Sequence, residues 1–229
     1  MAAASTIDPA LITRTLDEAA AIWRDAGITF DWHLMPMVAY PDPHARPLLV
    51  IVDDEVGRPR DGGLPIGWVV FDGDHDPEPQ LHVSRRNARR LLQLMRQDPG
   101  GERMPRLEEE VLLGRAMGRA LAHELGHYLF ASKRHTPRGL MASQRSAAEM
   151  FGSTHGGYWI QDDQRLAAAA RIRDLCAVTS RAIANDQAEF ESRGAQAQGA
   201  GTSSGDGRNV YRCRPTISWT TTSGFSLRT

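Results

Sequence analysis

The sequence predicts an α+β fold, strands with helices packed on them, and three observations carry that expectation. Helical spacing opens the chain, short apolar runs bounded by turn residues follow between Ile28 and Val83, and a long segment from about Leu107 repeats apolar residues every four positions. Strands therefore gather early and helices late. At 229 residues, with 41% hydrophobic and 24% charged, the chain has enough apolar material for one main domain.

Asp8-Pro9 begins the first helix, with Asp8 as N-cap and Pro9 at the first helical position, where its missing N–H costs nothing. Leu11, Ile12, Leu16, Ala19, Ala20 and Ile22-Trp23 recur at helical spacing, and Gly27 supplies the stop. Ile28 to Leu34 alternates as a strand, and Pro36, Pro41, Pro43 and Pro47 make the next stretch a loop. Leu48 to Val52 is continuously apolar, which predicts a strand buried on both faces. Gly67 to Phe71 gives another strand, and Leu81-His82-Val83 a short one. The acidic run from Asp72 to Glu78 has carboxylates that could bind calcium, but the offsets of a calcium loop are missing, so a solvated turn is expected. Ser84 caps a basic helix through Arg85, Arg86, Arg89, Arg90 and Arg96, read as a solvated face.

The long helix carries Leu113, Met117, Leu121, Leu125 and Leu129 as one buried ridge. Gly114 and Gly118 each cost a helix about 1 kcal/mol relative to Ala, so another backbone is expected to approach closely there. Arg115 and Arg119 are assigned to the exposed side. Further on, Ala147 to Phe151 is helical, and so is the alanine-rich run from Asp162 to Ala184, with Leu166, Ile172, Leu175 and Val178 as packing positions. From Gly194 the composition turns to Gly, Ala, Gln, Ser and Asn. The expected division is a folded domain over 1–193 and a disordered Gly/Ser-rich tail over 194–229.

Several partners are disfavoured. The net charge of −1, from 27 Lys+Arg against 28 Asp+Glu, gives no electrostatic footprint for nucleic acid. No run approaches the roughly 20 apolar residues of a membrane helix, so no membrane partner is expected. The first residues lack a secretory apolar core, which makes the chain cytoplasmic by default, or secreted if the true start lies upstream. Two cysteines, Cys176 and Cys213, rule out a disulfide-dense scaffold.

Chemistry concentrates in His123-Glu124-Leu125-Gly126-His127 on the long helix. Residues four apart project from nearly the same side, so His123 and His127 can grip one Zn2+ while Glu124 stands beside it as a base. A catalytic zinc site takes three protein ligands and leaves a position open for water. Downstream, His135 is the nearest residue of ligand type, on a segment where Pro137 and Gly139 end the helix.

At this point the chain resembles the metzincin metalloproteases, above all their matrixin-like members, with the pattern HExxHxxGxxH followed by Ser or Thr and a Leu-Met turn. His123 to His127 match that helix residue for residue, and His135-Thr136 with Leu140-Met141 resembles the third ligand and the Met-turn. Phe130 stands where the family has its helix-ending glycine, and Lys133 where it has the third histidine, so His135 arrives two residues late. The resemblance implies a zincin fold: a twisted mixed sheet, an active-site helix and a small C-terminal helical subdomain. It implies His123, His127 and His135 as zinc ligands, Met141 as a floor beneath the metal and Glu124 as general base. The implied reaction is hydrolysis of a peptide or protein substrate by a zinc-bound water that Glu124 activates. Tyr158 is a candidate transition-state helper.

Three rivals stand beside this reading. A cytoplasmic regulatory, gluzincin-like metallopeptidase would use Glu149 as third ligand; His155 is a further candidate; and a non-catalytic zinc-binding relative would act as an interaction module. Retention of Glu124 argues against the last, because a closed structural site has no use for a base.

Overall fold

The computed structural model describes residues 7–35, 48–54, 64–73, 76–96, 104–175 and, as backbone, 209–217. Helix α1 spans Pro9–Arg24, and Asp8 caps it by accepting the Ala10 N–H at 2.9 Å. Gly27, at φ 78°, turns the chain into β1 (Ile28–Met35), since a residue without Cβ adopts the left-handed region freely. Strands β2 (Leu48–Asp53), β3 (Gly67–Asp72) and β4 (Asp76–Ser84) follow. Then come α2 (Arg85–Arg96), α3 (Arg106–Phe130) and α4 (Ala147–Phe151), a single 3-10 turn at Gly156–Tyr158, and a helix over the described residues 162–175. The last strand, β5, is Asn209–Ile217.

The sheet is mixed, in the order β1-β5-β2-β4-β3. β2 runs parallel to β4, while β3 is antiparallel to β4 and forms an edge among the described residues. All six residues of β2 are buried, as its continuous apolar run predicts. No helix among the described residues is long and apolar enough to cross a membrane.

α3 is the spine of the core. Leu113, Met117, Leu121, Leu125 and Leu129 are all fully buried, so the predicted ridge is the buried one. α1 packs across it at the two glycines. A Cβ on Gly114 would lie 2.7 Å from Arg14 Cβ, and one on Gly118 would lie 2.6 Å from the Thr15 carbonyl oxygen. Trp23 fastens the contact where it matters for the histidines: its Nε1 donates to the Ala122 carbonyl at 3.1 Å, and its ring lies 5.8 Å from that of Phe130.

Four expectations are corrected. Arg119, assigned to the exposed side, is buried; it donates to Glu18 Oε1 at 2.7 Å, to the Thr154 carbonyl at 3.0 Å and to the Glu149 carbonyl. A guanidinium with its donors satisfied in this way is tolerated inside. Leu166 is exposed, because Ala168, Ala169 and Ile172 form the buried face of the 162–175 helix. β4 begins five residues before Leu81 and takes in part of the acidic run. It tolerates Pro77 and Pro79 because pairing with β2 starts only at Gln80, and the register against β3 shifts between Val69 and Phe71. Finally, Asn209–Ile217 lies within the stretch expected to be a disordered tail, yet it pairs antiparallel with both β1 and β2. Tyr211, Cys213 and Ile217 alternate with Arg212 and Arg214, a period-two signal obscured by its Gly/Ser-rich flank and by Pro215. Residues 194–208 and 218–229, Cys176 and Val178 lie outside the described residues.

Candidate metal centre

His123 and His127 sit one helical turn apart near the end of α3, and their Nε2 atoms are 3.1 Å from each other. His135 joins them: one ring nitrogen from each of the three lies within 4.8 Å of the others. A tetrahedral ion with metal–nitrogen bonds of about 2.0–2.1 Å needs ligand nitrogens about 3.3 Å apart, so small side-chain adjustments bring all three onto one centre. The three histidines could therefore hold a metal ion.

Two of the rings are held by backbone. His123 Nδ1 donates to the Leu140 carbonyl at 2.8 Å, and His127 Nδ1 to the Ser132 carbonyl at 2.6 Å. A carbonyl only accepts, so the proton of each neutral ring resides on Nδ1 and the Nε2 lone pair faces the centre. Burial reinforces neutrality. Desolvation, then the neighbouring His127, pushes His123 down to about 3, and desolvation also lowers His127 and His135. Neutral imidazoles with converging ring nitrogens are a donor set that suits a borderline divalent ion such as zinc.

The late arrival of His135 has a structural explanation. α3 continues through Phe130, where the metzincin pattern would end it, and Ala131 takes the left-handed turn at φ 46°. Ser132 closes that turn by donating its N–H to the His127 carbonyl at 3.2 Å. Lys133 and Arg134 then lengthen the loop, and His135 returns over the site with its ring 5.3 Å from His123 and 4.9 Å from His127, centroid to centroid.

Met141 is buried against α3. A Cβ at Gly126 would overlap its Sδ, so the glycine in the motif makes room for this side chain. The turn bearing Met141 is fixed by Leu140 N–H to the Trp159 carbonyl (2.8 Å), Thr136 N–H to the Met141 carbonyl (2.9 Å), and an Arg145 bond to Gly139 O. Thus the carbonyl that orients His123 belongs to the same turn that packs under the helix.

Glu124 is buried beside the histidines, and the backbone amide of Val69 in β3 hydrogen-bonds its carboxylate. Desolvation pushes Glu124 up to about 8, and the Val69 bond opposes that rise. β3 runs along the site from here. A Cβ on Gly67 would sit 2.9 Å from Glu124 Cγ, and Phe71 meets the His127 ring edge-on at 6.4 Å. Gly67, Val69, Phe71 and the Leu140 and Ser132 carbonyls were not singled out from sequence; as backbone or strand positions they bear no motif of their own.

The remaining candidates lie elsewhere. Glu149 completes a capping box with Ser146 and pairs with Arg145 at 3.2 Å, and it is not part of the histidine group. The Tyr158 hydroxyl donates to the Glu149 carbonyl at 3.2 Å, and its ring is covered by the Arg145 guanidinium at 4.2 Å. His155 faces Asp25 at 3.5 Å. Of the acidic run, Asp76 pairs with Arg171 at 3.0 Å, while Asp74 and His75 lie outside the described residues. No family model matches the chain, and no curated protein or solved structure matches it.

Proposed function

We propose that this chain is a zinc-dependent metallopeptidase of the metzincin-like type, with His123, His127 and His135 as ligands and Glu124 as general base. The observation that carries the reading is Glu124 itself. A carboxylate buried next to three neutral imidazoles, and steered by the β3 amide, has no purpose in a purely structural metal site. Zinc at the three histidines supplies Lewis acidity, lowering the pKa of a coordinated water and polarising a carbonyl.

The chain's own residues do the rest. Ionised Glu124 accepts a proton from the attacking water as the water oxygen bonds to the peptide carbonyl carbon. It then returns that proton to the leaving nitrogen as the C–N bond breaks, so it ends the cycle as it began. A divalent cation on the histidines favours the ionised form that this requires. The Leu140 and Ser132 carbonyls hold two ligand rings in the tautomer that binds metal. An extended peptide suits the neighbouring strand: β3 is an edge among the described residues, Val70 on it is 43% exposed, and an edge strand recognises backbone by adding a partner.

The test is zinc content together with peptidase activity on a proteome-derived peptide mixture. Glu124→Ala is expected to keep zinc and lose turnover, His135→Ala to lose both, and Glu149→Gln to keep both. Zinc and activity undiminished in His135→Ala would sink the assignment and return attention to Glu149. Zinc bound by the wild type without any turnover would favour the non-catalytic relative.

A further inference from the structure

We infer that Lys133 is a positioning residue for the third metal ligand, strapping the loop that carries His135 to the turn between β3 and β4. The inference rests on the reading of the three histidines as a metal centre.

His123 and His127 each have a carbonyl that fixes the ring. His135 shows no such carbonyl hydrogen bond among the described residues: its ring packs against the other two imidazoles, and the side chain is exposed. Its place is therefore set by the backbone of its loop. One end of that loop is anchored by Ser132 on His127, the other by Thr136 on Met141. Between these anchors, Lys133 Nζ donates to the Gly73 carbonyl at 2.7 Å and lies 5.3 Å from the centroid of the Phe71 ring. Gly73 turns the chain from β3 toward β4 at φ 66°. Phe71 packs edge-on to His127, so the stem and head of Lys133 close a path from the edge strand to the centre.

The sequence position gives the strap its meaning. In the metzincin pattern the residue at 133 would be the third ligand itself. Here the helix runs on, the ligand falls two residues later, and the longer loop needs an added tie. A tertiary contact between Lys133 and Gly73, 60 residues apart in sequence, provides it. Because outer-shell contacts orient ligands without touching the metal, their loss is read in metal affinity.

The experiment uses the full chain. Zinc affinity is measured by competition with a chromophoric chelator, and the visible spectrum is recorded on cobalt-substituted protein. Lys133→Ala is expected to weaken zinc binding about 10- to 100-fold and to shift the cobalt bands, while its chelated form melts like wild type. Lys133→Arg restores most of the affinity, since a guanidinium still reaches a carbonyl and lies on an aromatic face. Lys133→Met, which keeps the stem without the donor, stays weak. Wild-type affinity in Lys133→Ala overturns the inference, and so does a chelated Lys133→Ala that melts well below wild type, because the loss then belongs to the fold. A wild type that binds no zinc removes the metal-centre reading itself; a zinc-binding wild type with an unaffected Lys133→Ala removes only the strap.

Discussion

Replacing Gly67 with alanine asks whether β3 holds the base in place. The new Cβ would lie 2.9 Å from Glu124 Cγ, 3.3 Å from the His82 carbonyl oxygen and 3.5 Å from Ala120 Cβ. Carbon atoms pack best at about 3.5–4.0 Å, so Glu124 or the strand has to move by at least about 0.6 Å. Glu124 has little room, being buried and tied to the Val69 amide on the same strand. Replacing a glycine at the start of a strand gains at most about 0.5–1 kcal/mol, whereas overpacking a filled site costs about 1–3 kcal/mol, so the clash wins and stability falls by about 1–2 kcal/mol. Activity is the more sensitive reading. A base displaced by a good part of an ångström loses about 10- to 100-fold in kcat, given that 1 Å misplacements cost on the order of 100-fold. Zinc content is expected to be unchanged, because none of the three candidate ligands, His123, His127 and His135, is among the atoms nearest the new methyl. The assays are kcat and KM measured separately, bound zinc, and urea denaturation. Wild-type kcat with equal or higher stability in Gly67→Ala would show that β3 does not press on Glu124.

Three further outcomes follow from the structure. Arg119→Met leaves the largely buried Glu18 carboxylate and the Thr154 carbonyl without this donor, while the Glu149 carbonyl keeps the Tyr158 hydroxyl, and a broken buried pair costs about 3–5 kcal/mol; a urea midpoint close to wild type would refute the pairing. In chelated protein, the folded state holds a proton on Glu124 up to about 8, whereas an unfolded glutamate releases it near 4.5. That contribution is present below about pH 4.5 and lost as pH rises through 8, and Glu124→Gln is expected to flatten it. His123 has the opposite sign. Its folded pKa is about 3 against 6.5 unfolded, so stability is lost as pH falls from about 6.5 towards 3. Thermal melting of chelated wild type and Glu124→Gln across pH checks both slopes, and superimposable profiles for the two proteins would remove the Glu124 contribution.

Much of the architecture is local and was legible for that reason. The Asp8 cap, the Gly27 stop, the apolar run of β2 and the four-residue ridge of α3 each express a period or a backbone preference within a few residues. The glycines of α3 were also informative, since their cost in a helix implies a compensating approach, and α1 makes it. What failed was non-local. Arg119 looks exposed when α3 is considered alone, but the 146–158 segment folds over it and supplies two carbonyls. β5 carries a weak alternation that becomes a strand only because β1 and β2, far upstream, present free edges on either side.

The candidate site divides the same way. The sequence alone determined that His123 and His127 share a helix side and that Glu124 lies next to them, because helical periodicity admits no other arrangement. It also offered His135 and Glu149 as third ligands without deciding between them, since each lies beyond the end of α3, where spacing no longer fixes direction. The tertiary structure decided which one comes near. The left-handed turn at Ala131, the Ser132 closure and the Met141 turn direct His135 back to the histidines, while Glu149 is held in its own capping box. Only the packed sheet brought Val69 to Glu124 and Gly73 to Lys133, because backbone groups carry no sequence signature until another element lies against them.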